Sequence, residues 1–377
     1  MRIEKRAVVM ALALGAAAVS AGIAITLADS PATLEELARS AVSSGRDAQT
    51  AIADLRARGS EGLEAFLRVH EATLERGRPE DRAPVASALD ALCQQYDCAS
   101  SRLFWHTDFD AAREEARKSG KPILSLRLLG KLSEELSCAN SRFFRRLLYA
   151  DPSVASYMRQ NFVLHWESVR PVPEVTIDFG DGRVLKRTLT GNSIHYVLDA
   201  EGRVVDGLPG LYSATPFLAA LGRAVPVARR SSALDGPERL ALLTAYHSDQ
   251  LTTSLQLIGS RPERLNVALV ESQYPTALEA SEVAITKMAT EVPILRMLNR
   301  LERSVAKDTE FNERVLHRQI HEWLSREAEP DLETFNERVY AELFLTPSSD
   351  PWLGLVSTDV YDAITEHGVI RGGARHE

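Results

Sequence analysis

Apolar residues recur at helical spacing near both ends of the chain, whereas the middle contains short apolar runs of strand length. Residues 33–98 carry apolar positions three and four residues apart, which predicts helices. Residues 102–225 alternate short apolar runs with amphipathic segments and glycine turns, which predicts an α/β sheet covered on both faces. Residues 231–368 return to helical spacing. The pattern predicts an α/β central domain flanked by mostly α-helical N- and C-terminal regions.

The central segment contains three strong local signals. Ile123–Leu129 is an apolar run of strand length that follows the helix-stopping Gly120-Lys121-Pro122. Gly180-Asp181-Gly182 separates two runs of strand-forming residues and predicts a hairpin. Ala200-Glu201-Gly202 separates two more and predicts a second hairpin. We expect these segments to belong to one sheet, because strands that alternate with helices and end in a hairpin and a helix are typical of an α/β domain.

The first thirty residues read as a targeting segment. Arg2, Lys5 and Arg6 precede residues 7–28, which carry no charge. A positive start followed by an apolar stretch is typical of an export signal, and 22 residues also suffice to cross the ~30 Å hydrocarbon core of a bilayer. A cleaved signal and an uncleaved anchor in the inner membrane therefore both remain open. In either case the sequence predicts an extracytoplasmic protein, periplasmic or secreted.

Composition narrows the possible partners. The chain has 44 basic and 52 acidic residues and a net charge of −8, without any basic block, so a nucleic-acid partner is not expected. The only membrane contact that the sequence predicts is through the N-terminal segment. Three cysteines are too few for a disulfide-dense scaffold or a zinc site built from four cysteines.

Two of the cysteines are close in sequence. Cys93 and Cys98 lie between a predicted helix and Trp105, and in an exported protein such a pair is expected to be oxidised. We predict a structural disulfide that fastens the N-terminal helical region to the central domain. Because the closed loop is small, its entropic stabilisation is on the order of 2 kcal/mol.

The central domain resembles the thioredoxin family. Trp105, the Gly120-Lys121-Pro122 sequence before the first central strand, and Asn161-Phe162-Val163 are similar to motifs of secreted thioredoxin-like proteins. The similarity spans residues 102–221. It implies a thioredoxin-like fold in which the redox cysteine follows that strand at the start of a helix, the place that Cys138 occupies.

Two departures from the family pattern bear on activity. Cys138-Ala139-Asn140-Ser141 replaces the Cys-x-x-Cys motif, and Ser193 stands where the family carries its cis-proline. A dithiol oxidoreductase needs its second cysteine to resolve the mixed disulfide, and Ser141 cannot do so. Family members with Cys-x-x-Ser are thought to form mixed disulfides through the single cysteine.

Two functions follow as hypotheses. In the first, Cys138 is a reactive thiol at a helix N-terminus that handles disulfides of exported proteins, with Ser141 as its hydrogen-bonding neighbour. In the second, Cys138 is a packed residue, and the chain is a non-catalytic module that binds an envelope protein. Neither function implies a cofactor.

The remaining candidate chemistry is a histidine pair. His317 and His321 lie four residues apart and so share one face of a predicted helix. A zinc protease motif needs a glutamate directly after the first histidine, where this chain has Arg318. The sequence alone therefore predicts a pair that faces solvent or an interface, and no metal site.

Overall fold

The computed structural model describes residues 32–189, 191–259, 298–327 and 329–353. The described residues from Leu34 onward belong to one compact unit. No helix within the described ranges has both the length and the hydropathy needed to cross a bilayer. The predicted targeting segment, residues 1–30, lies outside those ranges.

The N-terminal helical region has its own hydrophobic core. Leu55, Phe66 and Leu89 are fully buried in it. Gly62 lets two helices meet closely, because a Cβ there would lie 2.0 Å from the carbonyl oxygen of Leu55. The helices are α1 (Leu34–Ser40), α2 (Arg46–Ala57), α3 (Ser60–Arg76), α4 (Pro79–Cys93) and α5 (Cys98–Ser101).

The central region is mixed α/β. Asp108 caps its first helix and Asp151 caps the helix that begins with Pro152, each by accepting backbone N–H groups. The elements are α6 (Phe109–Ser119), β1 (Ile123–Leu129), α7 (Ala139–Phe143, continued by a π-turn over Phe144–Leu148), α8 (Pro152–Asn161), β2 (Val163–Arg170), β3 (Glu174–Asp178), β4 (Val184–Thr188), β5 (Ser193–Leu198), β6 (Val204–Pro209) and α9 (Ala214–Ser231).

Four strands form the main sheet in the order β2-β1-β5-β6. β1 pairs with β2 in parallel and with β5 antiparallel, and β5 pairs antiparallel with β6. Every residue of β1, β5 and β6 is buried, as expected for strands covered on both faces. β3 and β4 form a separate two-stranded hairpin, and both hairpins that the turn residues predict are present.

The C-terminal helices share the hydrophobic core of the sheet. Leu243, Ile320 and Phe335 belong to the same buried cluster as the strands. The helices are α10 (Gly236–Gly259), α11 (Leu298–Phe311, continued by a π-turn over Asn312–His317), α12 (Arg318–Leu324) and α13 (Leu332–Arg338, continued by a π-turn over Val339–Leu343). The rest of the predicted C-terminal helical region, residues 260–297 and 354–368, lies outside the described residues.

The predicted disulfide joins Cys93 at the end of α4 to Cys98 at the start of α5. The backbone N–H of Trp105 donates to the carbonyl of Cys93 over 3.1 Å, and the indole of Trp105 donates to Gln95 over 2.9 Å. The N–H of Tyr96 reaches the carbonyl of Leu132, beyond β1, over 3.1 Å. The disulfide loop therefore connects the helical region to the sheet, which is the role the sequence predicts for it.

Candidate functional site

Cys138 occupies the N-cap position of α7, in the connection that follows β1. Its carbonyl accepts the N–H of Arg142 over 3.2 Å, which begins the helix. The thiol is free and its residue is 0% exposed. It belongs to the same buried cluster as Leu132, Phe144 and Tyr149. The sequence placed this cysteine correctly, but of the two alternatives for its surroundings the structure has the packed one.

Ser141 is also fully buried and bonds within its own helix turn. Its hydroxyl oxygen lies 2.6 Å from the hydroxyl oxygen of Ser137 and 2.8 Å from the carbonyl oxygen of Cys138. The hydroxyl therefore stabilises the first turn of α7 and the connection before it.

Ser193 begins β5 and lies beside the Cys138 motif. The side-chain amide of Asn140 donates to the Ser193 hydroxyl over 2.8 Å, and both residues are buried. Gly191 allows this approach, because a Cβ there would lie 2.9 Å from the backbone nitrogen of Asn140. Ser193 therefore contacts the Cys138-Ala139-Asn140-Ser141 segment through Asn140.

The C-terminal region covers this end of the sheet. The Tyr340 hydroxyl donates to the carbonyl of Asn192 over 3.2 Å, and the side chain of Asn192 donates to Thr346 over 3.0 Å. The Arg170 guanidinium, at the end of β2, donates to the carbonyls of Thr346, Pro347 and Asp350. Burial raises the pKa of the Tyr340 hydroxyl well above its usual value, and the nearby Cys138 adds to the shift. Residues 340–350, which are far from Cys138 in the sequence, therefore cover the surface beside it.

Arg145, seven residues after Cys138, stabilises the loop that precedes Cys138. Arg145 is 2% exposed and donates to the carbonyls of Glu134 and Glu135, while its guanidinium lies 5.0 Å from the ring centre of Tyr96. Burial lowers the pKa of Arg145 to about 10. Arg145 therefore fixes the loop that leads from β1 to Cys138.

A buried histidine lies on the other side of this core. His195, on β5, accepts or donates a 2.6 Å hydrogen bond with the Tyr149 hydroxyl, and both side chains are fully buried. Burial lowers the pKa of His195 to about 3, so its imidazole is neutral at ordinary pH. The other ring nitrogen of His195, Nδ1, is buried without a hydrogen-bond partner among the residues that the structure describes.

The histidine pair does not face solvent. His317 is 2% exposed and His321 is 3% exposed, so of the two alternatives that the sequence left open, a pair facing solvent or an interface, the solvent-facing one was wrong. The helix face that carries them packs on β6, where Asp206 supplies a carboxylate 2.9 Å from the Nε2 of His317. Burial alone would raise the pKa of Asp206. His317, through its charge and its hydrogen bond, acts together with His321 and His247 to hold that pKa well below its usual range.

Sequence reasoning missed the partner of this pair. Asp206 lies in Val204–Pro209, an otherwise apolar strand that is buried on both faces. A charged residue in such a strand needs a buried partner, and that requirement is visible in the sequence. Comparisons of the chain with protein-family models, with curated proteins and with solved structures find no match.

Proposed function

We propose that this chain is an exported thioredoxin-like protein that binds another envelope protein and does not exchange disulfides. The observation that carries the proposal is the complete burial of the Cys138 thiol at the place where the family has its reactive sulfur. Thiol–disulfide exchange requires a thiolate to attack a disulfide sulfur directly, so the attacking atom must be reachable.

The strand arrangement supports the thioredoxin-like part of the proposal. A parallel β1–β2 pair is followed by the antiparallel β5–β6 hairpin and then α9. Cys138 begins the helix between β1 and β2, as the sequence resemblance implies. A short parallel pairing of His106 with His165 extends the sheet beyond β2, next to the Trp105 motif.

The cysteine inventory supports the absence of exchange chemistry. Cys93 and Cys98 are already joined, and each is 0% exposed. Ser141 stands at the resolving position and bonds to Ser137. A mixed disulfide on Cys138 would therefore have no thiol beside it to release the bound protein.

The β3–β4 hairpin offers the binding surface. It is inserted between β2 and β5 and carries three large apolar side chains that are 44–56% exposed, Ile177, Phe179 and Val184. Its base is fixed to the loop before Cys138, because the Thr188 hydroxyl donates to the carbonyl of Ser137 over 3.1 Å. An isolated two-stranded hairpin is marginally stable by itself, so a partner that covers its apolar side chains would stabilise it.

The Cys138→Ser variant distinguishes binding without disulfide exchange from exchange through the single cysteine. We expect the wild-type chain and the variant to give the same background rate in an insulin-reduction assay, and neither to form a glutathione adduct in the folded state. The physical reason is that no thiolate reaches the surface. A Cys93→Ser, Cys98→Ser double variant controls for any activity of the disulfide. Insulin reduction or a glutathione adduct that disappears only in Cys138→Ser would contradict the proposal and support thiol-disulfide handling through Cys138.

A further inference from the structure

Four ionisable side chains meet in the core between β6 and the C-terminal helices. Asp206 comes from β6, His247 from α10, His317 from the end of the π-turn that continues α11, and His321 from α12. All four are at most 3% exposed. Three imidazoles around one carboxylate are costly to remove from water unless they bind one another or a cation.

Three of these side chains have ligand atoms close enough together to share one cation, and His247 adjoins one of the three. The ligand atoms of Asp206, His317 and His321 all lie within 4.8 Å of one another. The carboxylate oxygen Oδ1 of Asp206 lies 2.9 Å from His317 Nε2 and 3.8 Å from His321 Nδ1. The Nδ1 of His247 lies 2.9 Å from the Nδ1 of His321. In a tetrahedral zinc site with bonds of about 2.0–2.1 Å, neighbouring ligand atoms are about 3.3 Å apart.

We propose that Asp206, His317, His321 and His247 bind one zinc ion. Imidazole nitrogen with a single carboxylate oxygen is a donor set for zinc and the later first-row metals, and is a poor one for magnesium or calcium, which prefer oxygen. One carboxylate and three neutral imidazoles leave a charge of +1 with a divalent ion. The Glu313 carboxylate, 3.7 Å from His317 Nδ1, supplies a second negative charge.

Two hydrogen bonds orient the Asp206 carboxylate, as outer partners orient the ligands of a metal site. The Tyr246 hydroxyl donates to Asp206 Oδ2 over 2.6 Å, and the N–H of Gly207 donates to Oδ1 over 2.8 Å. A Glu313 oxygen lies 3.7 Å from His317 Nδ1, the ring nitrogen that points away from Asp206. At that distance the Glu313 carboxylate is not hydrogen-bonded to the ring, and it acts on the site through its negative charge.

The site is closed, so its role is structural. Catalytic zinc keeps a coordination position open to water or substrate, whereas these side chains are buried and the proposed site, with His247 as its fourth donor, leaves no position open. The ion would tie α10 and α12 to the edge strand of the sheet, and these elements lie on both sides of residues 260–297. Zinc in this place stabilises the fold by binding the native state alone.

The first test uses the full wild-type chain, purified without a metal-affinity tag, dialysed against chelator, then incubated with zinc sulfate and gel-filtered. We expect one zinc per chain by elemental analysis, a thermal midpoint that rises with zinc and falls with chelator, and no such response to magnesium. A wild-type chain that retains no zinc and unfolds at the same temperature with zinc and with chelator would overturn the proposal, and would leave a metal-free hydrogen-bond network in its place.

Variants locate the ion. His321→Gln is expected to abolish stoichiometric zinc, whereas His70→Gln, a histidine of the N-terminal region that bonds to Ala38, should retain it. Glu313→Gln keeps all four donors and removes the carboxylate charge beside His317, so it should weaken zinc affinity at least about 10-fold. If the His321→Gln chain does not fold, the zinc affinity of the Glu313→Gln chain tests the location of the site instead. Zinc bound equally tightly by wild type and Glu313→Gln, or retained by a folded His321→Gln chain, would contradict the site.

Discussion

Replacing Asp199 by asparagine is expected to lower the free energy of unfolding by about 3–5 kcal/mol. Asp199 is fully buried and accepts from the Ser231 hydroxyl over 2.8 Å and from Arg203 Nε over 2.9 Å. The guanidinium of Arg239, also 0% exposed, lies 3.6 Å from the same carboxylate. Asparagine removes the buried carboxylate beside Arg239 and leaves the half-exposed Glu329, also 3.6 Å away, as its counter-ion. The poorly compensated buried charge accounts for the large effect.

Urea unfolding of wild type and variant measures this difference. The matched control is Asp110→Asn, which removes an exposed carboxylate 2.7 Å from Arg113 and should cost at most about 1 kcal/mol. Similar losses in the two variants would show that the buried network around Arg239 does not hold β6 and α9 against α10.

Replacing Tyr340 by alanine is expected to cost about 3–5 kcal/mol, the usual loss for truncating a buried aromatic side chain. Tyr340 is 1% exposed, packs edge to face against Phe344 and donates a hydrogen bond to the carbonyl of Asn192. Because Asn192 precedes Ser193, which bonds to Asn140, the cavity would open next to the Cys138 motif. We therefore also expect faster alkylation of Cys138 in the folded variant.

Tyr340→Phe is the matched control. It keeps the ring and removes only the hydroxyl, so it should cost about 1 kcal/mol and leave the alkylation rate of Cys138 unchanged. Thermal unfolding and a timed alkylation assay on both variants give the comparison. An alanine variant that is as stable as the phenylalanine variant, with Cys138 equally slow, would mean that the C-terminal region does not cover the site.

Local signals in the sequence were sufficient for much of the fold. Gly180-Asp181-Gly182 forms its hairpin turn, with positive φ at both glycines. Asp151-Pro152 begins a helix, because the aspartate accepts N–H groups of the first turn and proline has no N–H to leave unbonded. The disulfide of Cys93 and Cys98 followed from their spacing. Each of these features depends on residues only a few positions apart.

The surroundings of the candidate sites depend on contacts that no local pattern encodes. The segment that covers Cys138 includes Tyr340, which bonds to a residue 148 positions earlier. His317 meets Asp206 across 111 positions. Helical spacing showed that His317 and His321 share a face, but not that this face packs on a strand. The signal that would have predicted this packing is Asp206, the charged residue in the otherwise apolar strand.

Cys138 is the only free thiol in a chain of three cysteines, so its alkylation rate can be read without interference. The most direct measurement compares that rate, at neutral pH, in the folded chain and in the chain unfolded by urea with its disulfide intact. If the sulfur is enclosed and the module binds without redox chemistry, the folded chain should react at least about 100-fold more slowly, because reaction must wait for local opening. A folded chain that reacts as fast as the unfolded one would contradict the account.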